Sequence, residues 1–197
     1  MLSKRELGRQ ILHALIGTSM AGLIYFNIMN TALISFLITI GIILSFIAKK
    51  KRIPFVSYFL EHFGRKKEKN LPGKGVIYFF TGVLLSLLLF EKDIALASIM
   101  VLSLGDSLSH IIGGKCGKIK NIFRKKSKKR LDGTIAGIIS GFLGALIFVS
   151  PLEAFMGSLA AMSIEAREIS FGKKIVDDNL YIPVIAGAVM VLVRNLV

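Results

Sequence analysis

The chain has one cysteine, Cys116, and no tryptophan among its 197 residues. A lone cysteine excludes an internal disulfide and leaves no cysteine spacing for a metal site. Acidic side chains are scarce too, 12 against 26 Lys and Arg, which gives a formal net charge of +14. No G-x-x-x-x-G-K-[ST] phosphate loop occurs, so a Walker-type nucleotide site is excluded. Soluble-type repeats and low-complexity tracts are absent, and no polar stretch is long enough to form a separate soluble domain. What the sequence has instead is apolar length.

Hydrophobic residues make up 53% of the chain, and the mean hydropathy is +0.67. They come in blocks of roughly the 17–25 residues that cross a bilayer as a helix. Seven blocks are predicted, at about 8–28, 30–48, 75–90, 94–114, 133–150, 152–167 and 180–196. The expected architecture is all-α: one integral membrane domain over residues 1–197, a polytopic transmembrane helical bundle of about seven spans with a cytoplasmic N-terminus. The first block is too long for a signal peptide and lacks its small-residue cleavage site, so it is expected to stay.

With the N-terminus inside, residues 49–74, 115–131 and 168–179 face the cytoplasm. These loops, the N-terminal end and the adjoining Arg167 hold every Lys and Arg except Lys92 and Arg194. That is the positive-inside bias in strong form, and it accounts for the basic excess without a nucleic-acid partner. Residues 53–63 are too short to span. Aromatic-rich and flanked by basic runs, they are expected to lie as a helix in the headgroup region, with Pro54 in its first turn. The loop 115–130 carries nine basic residues and no acidic one. It is either a topology anchor or a collector for a polyphosphate.

Polar groups inside the blocks carry more information. An ionised carboxylate in hydrocarbon is costly, so Asp106 within the fourth block points to a functional site whose partner must be found. By this topology Arg9, His13, Asp106, His110, Asp132, Glu165, Asp177 and Asp178 all fall in the cytoplasmic half, from five blocks. Positive-inside bias says little about Asp and Glu, so it does not gather them. Carboxylates beside Lys and Arg suit a site for a divalent cation and an anion, and Mg²⁺ prefers a few carboxylates together with phosphate oxygens. Gly105, Gly113, Gly114, Gly117 and Gly133 could let backbone N–H groups approach phosphates. Bland roles compete: His110 as a structural hydrogen-bonder one turn from Asp106, Asp132 as a helix cap, Arg9 as a snorkelling cation. Gly133, Gly137 and Gly141 lie four apart, the small-residue face that lets membrane helices approach closely.

Four elements in order carry a resemblance that covers most of the chain. Gly105-Asp106-x-x-Ser109-x-x-x-Gly113-x-x-x-Gly117-Lys118 resembles the G-D-x-x-A-x-x-x-G-x-x-x-G segment of the CTP-dependent lipid kinases. That family includes dolichol kinase, phytol kinase and the fungal-type diacylglycerol kinase, and the membrane CTP:phosphatidate cytidylyltransferases have a related segment. Lys129-Arg130-Leu131-Asp132-Gly133-Thr134 looks like the K-S-x-E-G-T element that follows. Asp177-Asp178-Asn179-Leu180-Tyr181-Ile182-Pro183 looks like D-D-N-L-T-I-P before the last helix, and Arg9-x-x-x-His13-x-x-x-Gly17 is similar to the first-helix R-K-x-x-H-x-x-x-G. The D-D-N element favours the kinase branch. Departures from the family pattern are Ser109 for Ala, Asp132 for Glu, Arg130 for Ser and Gln10 for Lys.

The resemblance implies transfer of the γ-phosphoryl group of CTP to a membrane lipid alcohol, a polyprenol or other isoprenoid alcohol, with Mg²⁺ as cofactor and the site facing the cytoplasm. It places Mg²⁺ on Asp106 with Asp177 or Asp178. Phosphates would meet Arg9, Lys118, Lys129, Thr134 and Asn179, with backbone access at Gly105, Gly113, Gly117 and Gly133. Asp178 or Glu165 would take the hydroxyl proton, and His13, His110 and Asp132 would support the site. The partners implied are CTP, the lipid alcohol and membrane lipids; oligomeric state is left open. The rival readings are a CTP:lipid-phosphate cytidylyltransferase and a non-catalytic membrane protein.

Overall fold

The computed structural model describes residues 2–64, 71–119, 129–167, 169–171 and 174–197. The basic segments 65–70 and 120–128, together with Glu168 and Lys173, lie outside the described residues.

Each predicted block is a helix in the structure. The first, α1 (Lys4–Tyr25), starts where the Ser3 hydroxyl accepts the Glu6 N–H, a Ser-x-x-Glu start signal. Next, α2 (Thr31–Lys50) is capped by Asn30 and ends on Lys49 and Lys50. The short α3 (Pro54–Phe63) has Pro54 in its first turn, as expected. Gly73, at φ 78°, turns the chain into α4 (Lys74–Leu89). Then α5 (Lys92–Met100), a π-helical stretch (Val101–Asp106) and α6 (Ser107–Lys115) form one unbroken run of 24 residues. Three further helices follow: α7 (Leu131–Ala145), α8 (Pro151–Arg167) and α9 (Asp178–Leu196). The all-α expectation gains one addition, an antiparallel pair of two-residue strands, β1 (Ser170–Phe171) and β2 (Lys174–Ile175), just before α9.

Among the described residues, three helical runs are long and apolar enough to cross a membrane: Thr31–Lys50, Lys92–Lys115 and Asp178–Leu196. Their surroundings differ. The middle run is largely buried, with Ile94, Leu96, Ile99, Val101 and Leu102 closed off from the exterior, so it forms the axis of the bundle. By contrast α2 leaves Phe36, Ile43 and Phe46 exposed, an apolar face that suits lipid and not water.

Helix α7 reaches the axis through its glycines. A Cβ on Gly133 would meet the Ser109 carbonyl oxygen at 2.5 Å, and one on Gly137 would lie 2.9 Å from the Gly105 carbonyl oxygen. Only glycine permits that approach, so the four-residue spacing read from sequence is a packing face. Helix α8 packs on α7 and α9, while α9 also packs on α4 and α5. Most exposed of the short helices, α3 rests mainly on α1 and α2.

Candidate active site

The π-helical stretch ends at Asp106. Wide turns of this kind inside helices recur at functional sites, because they change which way the following side chains point. Asp106 and Glu165 are buried. One turn beyond Asp106, His110 Nε2 lies 3.4 Å from Asp106 Oδ1 and 3.8 Å from Asp178 Oδ2. Glu165 comes from the last turns of α8, and Asp178 is the first residue of α9. One ligand atom from each of Asp106, His110, Glu165 and Asp178 can be chosen so that all four lie within 4.8 Å of one another.

Lys129, two residues ahead of α7, supplies the local cation. Its ammonium pairs with Glu165 Oε1, donates to the Glu165 backbone oxygen at 3.3 Å and lies 4.0 Å from Asp178 Oδ2. Three carboxylates facing one ammonium leave the cluster short of positive charge. Glu165 Oε2 is buried and accepts no hydrogen bond among the described residues, and Asp106 Oδ1 has only the His110 ring nitrogen, 3.4 Å away. A buried, unsatisfied carboxylate oxygen is costly and needs a partner. A small oxygen-preferring divalent cation fits this donor set: three carboxylates converge, although an imidazole is a less usual ligand for Mg²⁺.

The neighbouring D-D-N residues divide their work. Asp177 stands outside the four-residue group; it caps α9, and its Oδ1 accepts the Asn179 side-chain amide at 3.0 Å. Asn179 also donates to the Gly75 carbonyl at 3.3 Å, which joins α9 to the start of α4, and its own Oδ1 has no hydrogen-bond partner among the described residues. Asp132 takes a different task. Its carboxylate accepts the backbone N–H of Lys118 at 2.7 Å and of Ile119 at 2.8 Å, fastening the chain after α6 to the start of α7. Those N–H groups, Ile119 first, hold its carboxyl below the usual carboxylate range.

Gly105, Gly113, Gly117 and Gly133 all sit at the meeting of the axis with α7 or with Arg130, and a Cβ at any of them would crowd a neighbour. The structure thus gives these glycines a packing task. Buried Thr134 returns its hydroxyl to the Arg130 carbonyl at 3.4 Å.

On the other side of Asp106 lies a cleft of about 740 Å³, mouth included, between α1, α3 and α4. Arg9, Gln10, His13, Asp106 and Asn179 form its polar part. Glu6 organises two of these, accepting from Arg9 at 2.5 Å and from Gln10 at 3.1 Å. Sequence reasoning brought Asp106, Glu165, Asp178 and Lys129 to one end, and they do meet. It missed Gln10, Glu6 and the cleft. The available signal was Phe59 and Phe63, four apart on the short helix, which reads as membrane contact until α1 is seen opposite.

The chain is 34% identical over 188 residues to an uncharacterized protein of Methanocaldococcus jannaschii, covering 94% of this chain and 93% of that one. It is 29% identical over 142 residues to the CTP-dependent diacylglycerol kinase 1 of Schizosaccharomyces pombe, covering 66% of this chain and 64% of the relative. A probable chloroplastic phytol kinase 2 of Glycine max is 31% identical over 124 residues, 56% of this chain and 42% of the relative. The chain thus spans nearly all of the archaeal relative, but less than two thirds of the yeast kinase and about two fifths of the plant one. No family model matches the chain, and no solved structure matches it.

Proposed function

We propose, from its similarity to a CTP-dependent diacylglycerol kinase and to probable phytol kinases, that the chain belongs to the CTP-dependent lipid kinases and phosphorylates an isoprenoid or polyprenol-type alcohol in the membrane, using CTP and Mg²⁺. The observation that carries this reading is the convergence of Asp106, His110, Glu165 and Asp178, with the buried Glu165 Oε2 unsatisfied among the described residues, beside a largely apolar cleft. Such a cluster is unneeded in a scaffold and suits a reaction in which phosphate charge must be neutralised.

The lipid hydroxyl oxygen bonds to the γ-phosphorus of CTP as the bridge to the β-phosphate breaks. CDP leaves, and the hydroxyl proton passes to a carboxylate. Asp178 suits that last task better than Glu165, because its side chain keeps 14% exposure while Glu165 has none and already holds Lys129. Asp106 and Glu165 contribute the buried oxygens that would hold Mg²⁺, with Asp178 adjacent; when bound, the ion neutralises phosphate charge. Lys129 and Lys118 would meet phosphates from the α7 side, and Arg9 from the α1 side. Asp177 acts at one remove, orienting Asn179.

The charge pattern supports a cytoplasmic site. The start of α1, the end of α2, the end of α6 and the start of α7 all carry Lys or Arg beside them, and these ends lie with the cluster. On this reading α1, α2, α4, the α5–α6 run, α7, α8 and α9 are the seven spans, with the N-terminus inside.

The test uses purified protein in lipid vesicles with Mg²⁺ and CTP labelled either at the γ-phosphate or in the base. Geranylgeraniol or a polyprenol is supplied in one reaction and its monophosphate in another. Transfer of γ-label into the alcohol is the expected result. Base label entering lipid from the monophosphate, with pyrophosphate released, would establish the cytidylyltransferase instead.

A further inference from the structure

The cleft between α1, α3 and α4 is apolar apart from Arg9, Gln10, His13, Asp106 and Asn179. Leu12 and Ile16 line it from α1, Phe59 and Phe63 from α3, and Phe79 and Phe80 from α4. A nucleoside triphosphate, with its dense negative charge, has no reason to lie among four phenylalanines. An unbranched or isoprenoid chain does. The polar end offers what a hydroxyl needs: Asn179 Oδ1 is a buried acceptor without a hydrogen bond among the described residues, and Asn179 lines the cleft beside Asp106.

We propose that this cleft holds the hydrocarbon chain of the acceptor alcohol, with its hydroxyl at Asn179 beside the cluster of Asp106 and Asp178, and that α3 is the wall that fits the chain. The inference rests on the kinase reading for the identity of the occupant. It adds direction to the reaction. Attack and departure at phosphorus lie roughly in line, so acceptor and donor must come from opposite sides of the transferred group. The cleft opens toward Asp106 from α1, α3 and α4, whereas Lys129 reaches the same cluster from α7 and Glu165 from α8. The acceptor therefore enters on the first side and the nucleotide on the second.

The wall is held by a residue that the family motifs do not include. One Arg5 guanidinium nitrogen donates to the Gly64 carbonyl at 2.6 Å and to the Leu60 carbonyl at 3.3 Å. Both carbonyls lie at the end of α3, where a cation is favoured, and the Leu60 carbonyl also accepts the Gly64 N–H at 2.9 Å. Phe59 and Phe63 stack 5.0 Å apart on the face so pinned, and Phe63 reaches toward Gly8 of α1. Arg5 is thus a positioning residue for the cleft.

The experiment has a binding arm and a kinetic arm, both on the full chain in vesicles. In the first, a long-chain alcohol bearing a diazirine near its hydroxyl end is photolysed on the protein, and adducts are mapped by mass spectrometry. Adducts on Phe59, Phe63, Phe79 or Phe80, competed by unlabelled alcohol, are expected; adducts confined to the exposed face of α2 would overturn the proposal. This arm needs no turnover, so it stands even if the kinase reading fails. In the second, Phe80→Trp should raise the KM for the alcohol roughly tenfold while the KM for CTP and kcat stay within about twofold. Arg5→Ala should raise the alcohol KM in the same direction, with partial recovery in Arg5→Lys. An unchanged alcohol KM in both Phe80→Trp and Arg5→Ala would overturn the cleft assignment, while leaving phosphoryl transfer itself untouched.

Discussion

Two clusters of charge sit at opposite ends of the bundle, and each sets three carboxylates against one strong cation. At one end Arg194 donates to Glu153 at 2.6 Å, to Glu91 at 2.9 Å and to Asp93 at 2.7 Å. At the other, Lys129 faces Glu165, Asp178 and Asp106. The tally of charge is alike; the outcome is not. A guanidinium has five donors in a planar fork and can satisfy three carboxylates at once, whereas an ammonium is a compact point charge. Two of the outer carboxylates also keep water, Glu91 at 79% and Asp93 at 42% exposure, and the buried third, Glu153, is bound by Arg194 Nε, while Asp106 has 4% and Glu165 none. The Arg194 cluster is therefore closed and acts as a clamp across α5, α8 and α9. The Asp106 cluster is open, and its remaining oxygens are available to chemistry.

Asp106→Asn tests the open cluster most severely. Turnover should fall on the order of 10³-fold or more, since a charge that helps neutralise phosphate is lost. The thermal midpoint in detergent should hold or rise, because a buried and incompletely paired charge has been removed. Near-normal turnover would end its assignment to the cation. Next in size, Lys129→Arg would give the inner cluster the donor fork of the outer one. Activity should drop about 10²-fold as the carboxylates are tied up, and stability should not fall. Full activity in that variant would show that donor geometry is not what separates the clusters.

Arg194→Ala is the mirror test. It should cost about 1–3 kcal/mol of stability, discounted for the exposure of its partners, and leave kcat within about twofold. Thermal unfolding alongside the labelled-CTP assay measures both. The smallest effect belongs to Asp132. Its carboxyl is held below the ordinary range by two backbone N–H groups, so its contribution is present above the ordinary carboxylate pKa of about 3.9 and is lost as pH falls through the depressed value. Asp132→Asn should flatten that acid limb of the stability curve; an unaltered acid limb would remove the latch between α6 and α7.

Sequence read the helices well because apolar length is a local property. It also gathered Asp106, Glu165 and Asp178, since topology assigns depth and depth alone brings them to one end. Depth could not separate Asp177 from Asp178. Adjacent aspartates at a helix start have the same depth, and only the turn decides which one caps and which one faces inward. Nor could it show that Gly105, Gly113 and Gly133 lie against neighbouring backbone, because a glycine that admits a phosphate and one that admits a helix look the same in sequence. The cleft was hidden for a third reason: its walls come from residues 12–16, 59–63 and 79–80, whose proximity is a tertiary fact.

The wide turn at Val101–Asp106 gives the axial helix two phases. Each residue of an α-helix advances about 100° around the axis, so a stretch wound more loosely shifts everything after it. Before the turn, the faces of α5 are set by packing toward the Arg194 end; after it, the faces of α6 are set by the carboxylates. A hydropathy profile retains no angle and registers a single run. The chain nevertheless keeps two settings on one rod, so the site can be aimed without re-cutting the core that supports it.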